Sequence, residues 1–292
     1  MRTKASLLKI WMLALCLGLA IISGFALSAA AATAQDFEIA GLKVTAWLPQ
    51  GAAAQGAPVI LFSHGFHGCA KQSTFLTEAL ADAGYAVFAP NHRDVACGNL
   101  AAWFGAAEAP FLDTDRWTEA TYADRAMDLK ALIDAASRDP RFAAFDWGRI
   151  GLAGHSLGGY TVLGLGGGWT GWKDARVRAV LALSPYSAPF LYRQTLSGLS
   201  VPVMYQGGTW DVGITPLVGQ GGGAYDQTPA PKYYVELEGA GHFAWTDLNP
   251  RFHEAINAYS IAFFDAYLKD KPFPDALLRK GKQVSDIRMQ MN

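Results

Sequence analysis

Two rhythms of apolar and polar residues alternate along the chain. Pro58 to Ser63 is a continuous apolar run, the pattern of a strand covered on both faces, and Leu42 to Leu48 alternates like a strand at a sheet edge. Further strands fall at Tyr85 to Ala89, Arg149 to Ala153, Val177 to Leu183, Val201 to Tyr205 and Lys232 to Leu237. Helical spacing runs between them: Phe75, Leu76, Ala79 and Leu80 within 71–83, Ala126, Leu129, Leu132 and Ile133 within 118–137, a helix from residue 156, and a last one over about 252–268. Such alternation predicts an α/β chain whose mostly parallel sheet, of about eight strands, is wrapped by helices on both faces. Right-handed crossovers then bring the strand C-terminal ends to one rim, where ligands bind. Residues 91–116 carry Gly, Pro and aromatics without a period and read as a flap over that rim. Residues 270–292, with Pro272, Pro274 and a polar end, read as a tail.

The first residues change the picture. Arg2, Lys4 and Lys9 precede an apolar run from Ile10 to Leu27, and small residues follow up to Ala32-Thr33-Ala34. This reads as an export signal over 1–34 with a cleavage site after about Ala34, an uncleaved membrane anchor being the alternative. Residues 35–292 then form one domain, secreted or periplasmic and without stable membrane insertion. Loss of 1–34 takes three basic and no acidic side chains, moving the formal charge from −1 to −4. So mild a balance argues against nucleic acid as a partner.

Cys69 and Cys97 are the cysteines beyond the leader. In an oxidising compartment one disulfide is the simplest reading, with two unpaired buried thiols as the alternative. Neither has a second cysteine at ligand spacing, so no metal is expected.

Candidate chemistry centres on Gly154-His155-Ser156-Leu157-Gly158, a GxSxG motif between a strand and a helix. A turn that sharp lifts Ser156 clear of the sheet as a nucleophile; the bland reading is an ordinary glycine-rich turn. A serine hydroxyl needs a base, and the base needs an acid to fix its tautomer. Asp211 and His242 follow the strands 201–205 and 232–237 and thus fall on the rim where Ser156 emerges. Asp226, Glu238 and Asp247 stand as substitutes for the acid, since a turn aspartate often caps its own backbone. Among the other histidines, His64 and His67 read as shaping a turn, His155 as turned away from the serine, His92 as a loop residue and His253 as a helix-surface residue. The backbone amides of Leu157 and Phe66 are the candidate oxyanion donors. Phe66, Tyr186, Trp210 and Trp245 are candidate substrate-binding residues, against the bland reading that the rings pack the core.

Through His64-Gly65, the Gly154 to Gly158 elbow, Asp211 and Gly241-His242, the chain resembles the α/β-hydrolase superfamily over residues 35–292. Its Pro58 to Asp94 run is similar to secreted members of the dienelactone-hydrolase-like and platelet-activating-factor-acetylhydrolase-like branch, and to bacterial cutinases and polyester hydrolases. Dienelactone hydrolases carry cysteine as nucleophile where this chain has Ser156, so a lactone substrate does not carry over. The resemblance implies the α/β-hydrolase fold and a serine carboxylic-ester hydrolase that needs no cofactor and acts on a small-molecule or polymeric ester. A polyester or lipid ester hydrolase, and a catalytically silent binding protein on the same fold, are the rival expectations; the oligomeric state stays open.

Overall fold

The computed structural model describes residues 32–97 and 113–292. Residues 1–31, most of the expected export signal, and residues 98–112, most of the expected flap, lie outside the described residues.

Nine strands among the described residues make one sheet: β1 (Ala34–Ile39), β2 (Leu42–Trp47), β3 (Pro58–Ser63), β4 (Ala86–Pro90), β5 (Asp146–His155), β6 (Val177–Leu183), β7 (Val203–Gly208), β8 (Lys232–Leu237) and β9 (Val284–Gln290). They lie in the order β1-β2-β4-β3-β5-β6-β7-β8-β9. The block from β4 to β8 is parallel, with antiparallel neighbours at both ends. The longer helices are α1 (Thr74–Asp82), α2 (Ala123–Ala136), α3 (Leu157–Leu163) and α4 (His253–Leu268).

The side-chain period of two along β3 sets up both cores. Val59 and Leu61 join one apolar cluster with Leu129 and Leu132 of α2 and Tyr160 and Leu163 of α3. Ile60 and Phe62 join the other with Leu76 and Leu80 of α1 and Phe263 and Phe264 of α4. Helices therefore cover both faces, as the alternation of elements predicts; this is the α/β-hydrolase architecture.

Three strands depart from the sequence reading. Leu42–Trp47, expected at a sheet edge, lies inside the sheet between β1 and β4. Val284–Gln290, placed in a tail by its polar end, pairs with β8 along Lys232–Leu237 and closes one side of the sheet. Ala34–Ile39 pairs with β2, so Ala34 itself is hydrogen-bonding territory opposite Trp47. The latter two are edge strands, and their single ladder partner lets polar side chains face water, which erases the apolar signal. The helix expected over 118–137 begins at Ala123, because Tyr122 takes a left-handed conformation (φ 56°) that ends a separate turn.

Candidate active site

Ser156 stands between β5 and α3 with φ 55° and ψ −116°, a conformation that side chains seldom adopt. Three neighbouring glycines make it attainable. A Cβ on Gly158 would lie 1.9 Å from the Ser63 carbonyl oxygen at the end of β3, one on Gly154 2.3 Å from the Gly158 oxygen, and one on Gly159 2.6 Å from Pro185 Cβ. The turn is pinned by its own backbone: Ser156 N–H donates to Leu183 O, and Tyr186 N–H and Tyr160 N–H donate to Ser156 O.

His242 follows β8 across Gly241 and opens a short 3-10 turn, His242–Trp245. Its Nε2 lies 2.9 Å from Ser156 Oγ. Asp211 follows β7, is almost wholly buried, and sets Oδ1 3.2 Å from His242 Nδ1. Three segments distant in sequence thus meet at one rim. The geometry fixes the tautomer: Nδ1–H points to the carboxylate and Nε2 is left to accept from the serine hydroxyl. Burial pushes the Asp211 carboxyl up, but hydrogen bonding from His242 and the attraction of its charge, with the Ser184 and Thr215 hydroxyls, outweigh burial and hold it below the usual carboxylate range. Asp247 instead caps α1 through the amides of Thr74 and Phe75, and Asp226 accepts from Gly222 N–H.

Ser184, at the end of β6, was not foreseen. Its hydroxyl donates to Asp211 Oδ2, and its oxygen lies 2.8 Å from His242 Nδ1. The sequence signal was faint: a small polar residue just past a strand that lies between those carrying Ser156 and Asp211.

His155 is turned away from the serine, but it is more than a bystander. Its Nε2–H donates to the His242 carbonyl at 2.9 Å, and its Nδ1 accepts from Gln72 Nε2 at 3.1 Å. Gln72 Oε1 in turn accepts from Gly65 N–H at 2.9 Å. Burial, and then the like charge of His242, push His155 down to about 3, so it is neutral. His92, expected in a loop, is buried between Ser63 Oγ (2.9 Å) and Asp128 Oδ2 (2.8 Å).

The turn after β3 carries Phe66 up to Ser156. A Cβ on Gly65 would sit 3.4 Å from Ser156 Cβ, so the peptide leading to Phe66 flanks the serine on one side. Leu157 N–H, directly after Ser156 in the first turn of α3, is among the helix amides that have no intrahelical acceptor.

The candidate binding aromatics separate. Trp210 is 71% exposed beside Asp211, and Tyr186 is half-buried with its ring 5.1 Å from that of Trp117. Phe66 stacks on His67 at 3.8 Å. Trp245, expected at the substrate-binding surface, is instead 0% exposed; its indole N–H donates to Gln206 Oε1, and the 3-10 turn aims the ring into the core beneath His155. The Cys69–Cys97 disulfide is formed, tying the turn after β3 to the segment after β4. Among the described residues no cluster of three or more His, Cys, Asp or Glu could hold a metal ion, and no helix is long and apolar enough to cross a membrane.

A model of the PET hydrolase-like family matches residues 113–289, a stretch that contains Ser156, Asp211 and His242. Cutinase est2 of Thermobifida alba is 28% identical over 50% of this chain and 46% of its own length. Cutinase 2 of Thermobifida cellulosilytica is 28% identical over 49% of this chain and 52% of its own. The chain spans about half the length of these curated relatives. With the family match covering more than half of its residues, the chain belongs to the PET hydrolase-like family.

Proposed function

We propose that the protein is an exported serine carboxylic-ester hydrolase that turns over through an acyl-enzyme. Ser156 Oγ attacks the ester carbonyl while His242 Nε2 takes its proton, and Asp211 holds the imidazole and steadies its positive charge. The amides of Leu157 and Phe66 meet the charge developing on oxygen. The imidazolium returns its proton to the leaving alkoxide. A water, deprotonated by the same nitrogen, then releases the acid.

One observation carries this reading: the unbroken hydrogen-bonded run from Ser156 Oγ through His242 to a buried carboxylate. Family membership supports it. Hydrolysis of p-nitrophenyl acetate and labelling by a fluorophosphonate test it directly. Ser156→Ala should lower turnover by about three orders of magnitude or more and abolish labelling, with the fold unchanged. Near-normal hydrolysis by that variant sinks the assignment, and a folded wild-type protein that neither hydrolyses nor labels supports the silent binding protein instead.

A polymeric substrate is favoured by what surrounds the base and acid. Trp210, Val212 (80% exposed), Phe243 and Leu248 present apolar surface in the segments around Asp211 and His242. Apolar side chains displayed at a rim suit a hydrophobic solid or chain rather than a small polar ester. Release of soluble acid from a polyester film, compared with hydrolysis of a soluble short-chain ester, separates the two. The Cys69–Cys97 disulfide supports an oxidising compartment and hence export.

A further inference from the structure

Beneath the turn that carries Phe66 lies a guanidinium wholly removed from solvent. Arg125 of α2 is 0% exposed, and each of its five N–H groups has an acceptor. Nε and Nη2 grip the two oxygens of Asp94 at 3.1 and 3.0 Å. Nη1 donates to His64 O at 2.7 Å and to Ser63 Oγ at 3.3 Å, and Nη2 donates to Gly65 O at 3.1 Å. Asp94 also accepts from His67 N–H at 3.2 Å, so the ion pair spans the turn from Ser63 to His67.

The Gly65 carbonyl is the informative partner. It belongs to the same peptide unit as the Phe66 amide, and that unit is planar and trans. Whatever fixes the direction of Gly65 C=O therefore fixes the opposite direction of Phe66 N–H. Two donors fix it: Arg125 Nη2 and the His64 ring, whose Nδ1 lies 2.7 Å away. The tautomer of His64 follows from its other side, where Nε2 accepts from His92 N–H at 3.1 Å, leaving the proton on Nδ1. A cation hydrogen-bonded to a carbonyl also polarises its peptide and strengthens the N–H as a donor.

We propose that Arg125, backed by Asp94 and His64, is a positioning residue for the oxyanion site: it aims and polarises the Gly65–Phe66 peptide so that its N–H meets the charge that forms on substrate oxygen. This inference rests on the hydrolase reading above. Nothing about Arg125 touches substrate. Its action is through one peptide plane.

The test is Arg125→Lys, which keeps a positive charge beside Asp94 but cannot reach Asp94, His64 O and Gly65 O together. Removing one oxyanion donor costs about 100- to 1000-fold in kcat, so a mis-aimed donor should cost about 10- to 100-fold, with KM little changed. Affinity for a trifluoromethyl ketone, which forms the tetrahedral oxyanion on Ser156, should fall by the same factor, while the pH midpoint of activity stays where it is. A merely structural role would lower the unfolding midpoint without that parallel loss. A folded Arg125→Lys with unchanged kcat and inhibitor affinity overturns the proposal. Should the single variant not fold, the double variant Asp94→Asn/Arg125→Gln removes both charges together and carries the same comparison. If the wild-type protein hydrolyses no ester and takes no fluorophosphonate, the hydrolase reading fails first; if the wild type is active and the variants match it, only the role of Arg125 fails.

Discussion

Ser184 joins Asp211 and His242 by a second path: its hydroxyl donates to the far carboxylate oxygen while its oxygen faces Nδ1 of the ring at 2.8 Å. The ring is thus held by two acceptors, one of them a relay to the same carboxylate. A hydrogen bond of this kind is worth about 1 kcal/mol. Ser184→Ala should therefore lower kcat roughly fivefold to tenfold and leave KM alone. Steady-state kinetics on a soluble ester read this out, and an unaltered kcat would show the direct Asp211 contact to be sufficient.

Gly158→Ala should disable the elbow. The new methyl would meet the Ser63 carbonyl at 1.9 Å, and backbone on both sides leaves no flexible atom to give way. Destabilisation of roughly 3 kcal/mol, with near-complete loss of fluorophosphonate labelling, is expected. Urea unfolding and labelling of the same sample check the two effects together; a stable, fully reactive variant would contradict the packing described for the turn.

The two tryptophans near the site should behave oppositely. Trp245→Ala empties a buried site and should cost about 3–5 kcal/mol of stability. Trp210→Ala removes an exposed ring and should leave stability nearly intact while weakening adsorption to polyester film. Binding isotherms on film and thermal melts compare them; equal effects on adsorption would return Trp245 to the binding surface.

Acid should destabilise the fold from about pH 6.5 downward. His64, His92 and His155 are pushed down, chiefly by burial, and stay neutral in the folded chain. Unfolded imidazoles bind protons below 6.5, so stability is full above that value and drains as pH falls toward the folded-state values, by about 1.4 kcal/mol per pH unit for each unmatched proton. Asp128, raised to about 6 chiefly by burial, works the other way, binding a proton in the folded state between 6 and 3.8. The net slope below pH 6 should match about two protons taken up on unfolding. Urea midpoints across pH 7 to 4.5 measure it, and a flat profile rules the account out.

Reduction should weaken the fold near the site. Closing the 28-residue loop between Cys69 and Cys97 stabilises by roughly 3 to 4 kcal/mol in the chain-entropy picture. Cys69→Ala/Cys97→Ala should lower the unfolding free energy accordingly, and an unchanged urea midpoint would deny the bridge a stabilising part.

Sequence alone carried far where a residue's job is tied to its place on the chain. Ser156, Asp211 and His242 each sit just past a strand, and the parallel topology obliges those ends to share a rim. β1 and β9 were illegible for the converse reason, since a polar edge strand is defined by the neighbour it pairs with. Trp245 misled because proximity to His242 in sequence says nothing of which way a 3-10 turn points a ring. Arg125 gave no local signal and Ser184 only a faint one: the first lies on an amphipathic helix at a position where a charge looks solvent-facing, and both are tied to their surroundings through partners tens of residues away.

Gln72 reaches the turn that carries Phe66 through Gly65 N–H and, by way of His155, the main chain of His242. His242 and the Gly65–Phe66 turn therefore share a strut. Warming that frees this one amide side chain loosens both at once, so turnover should vanish in a single step rather than fade group by group.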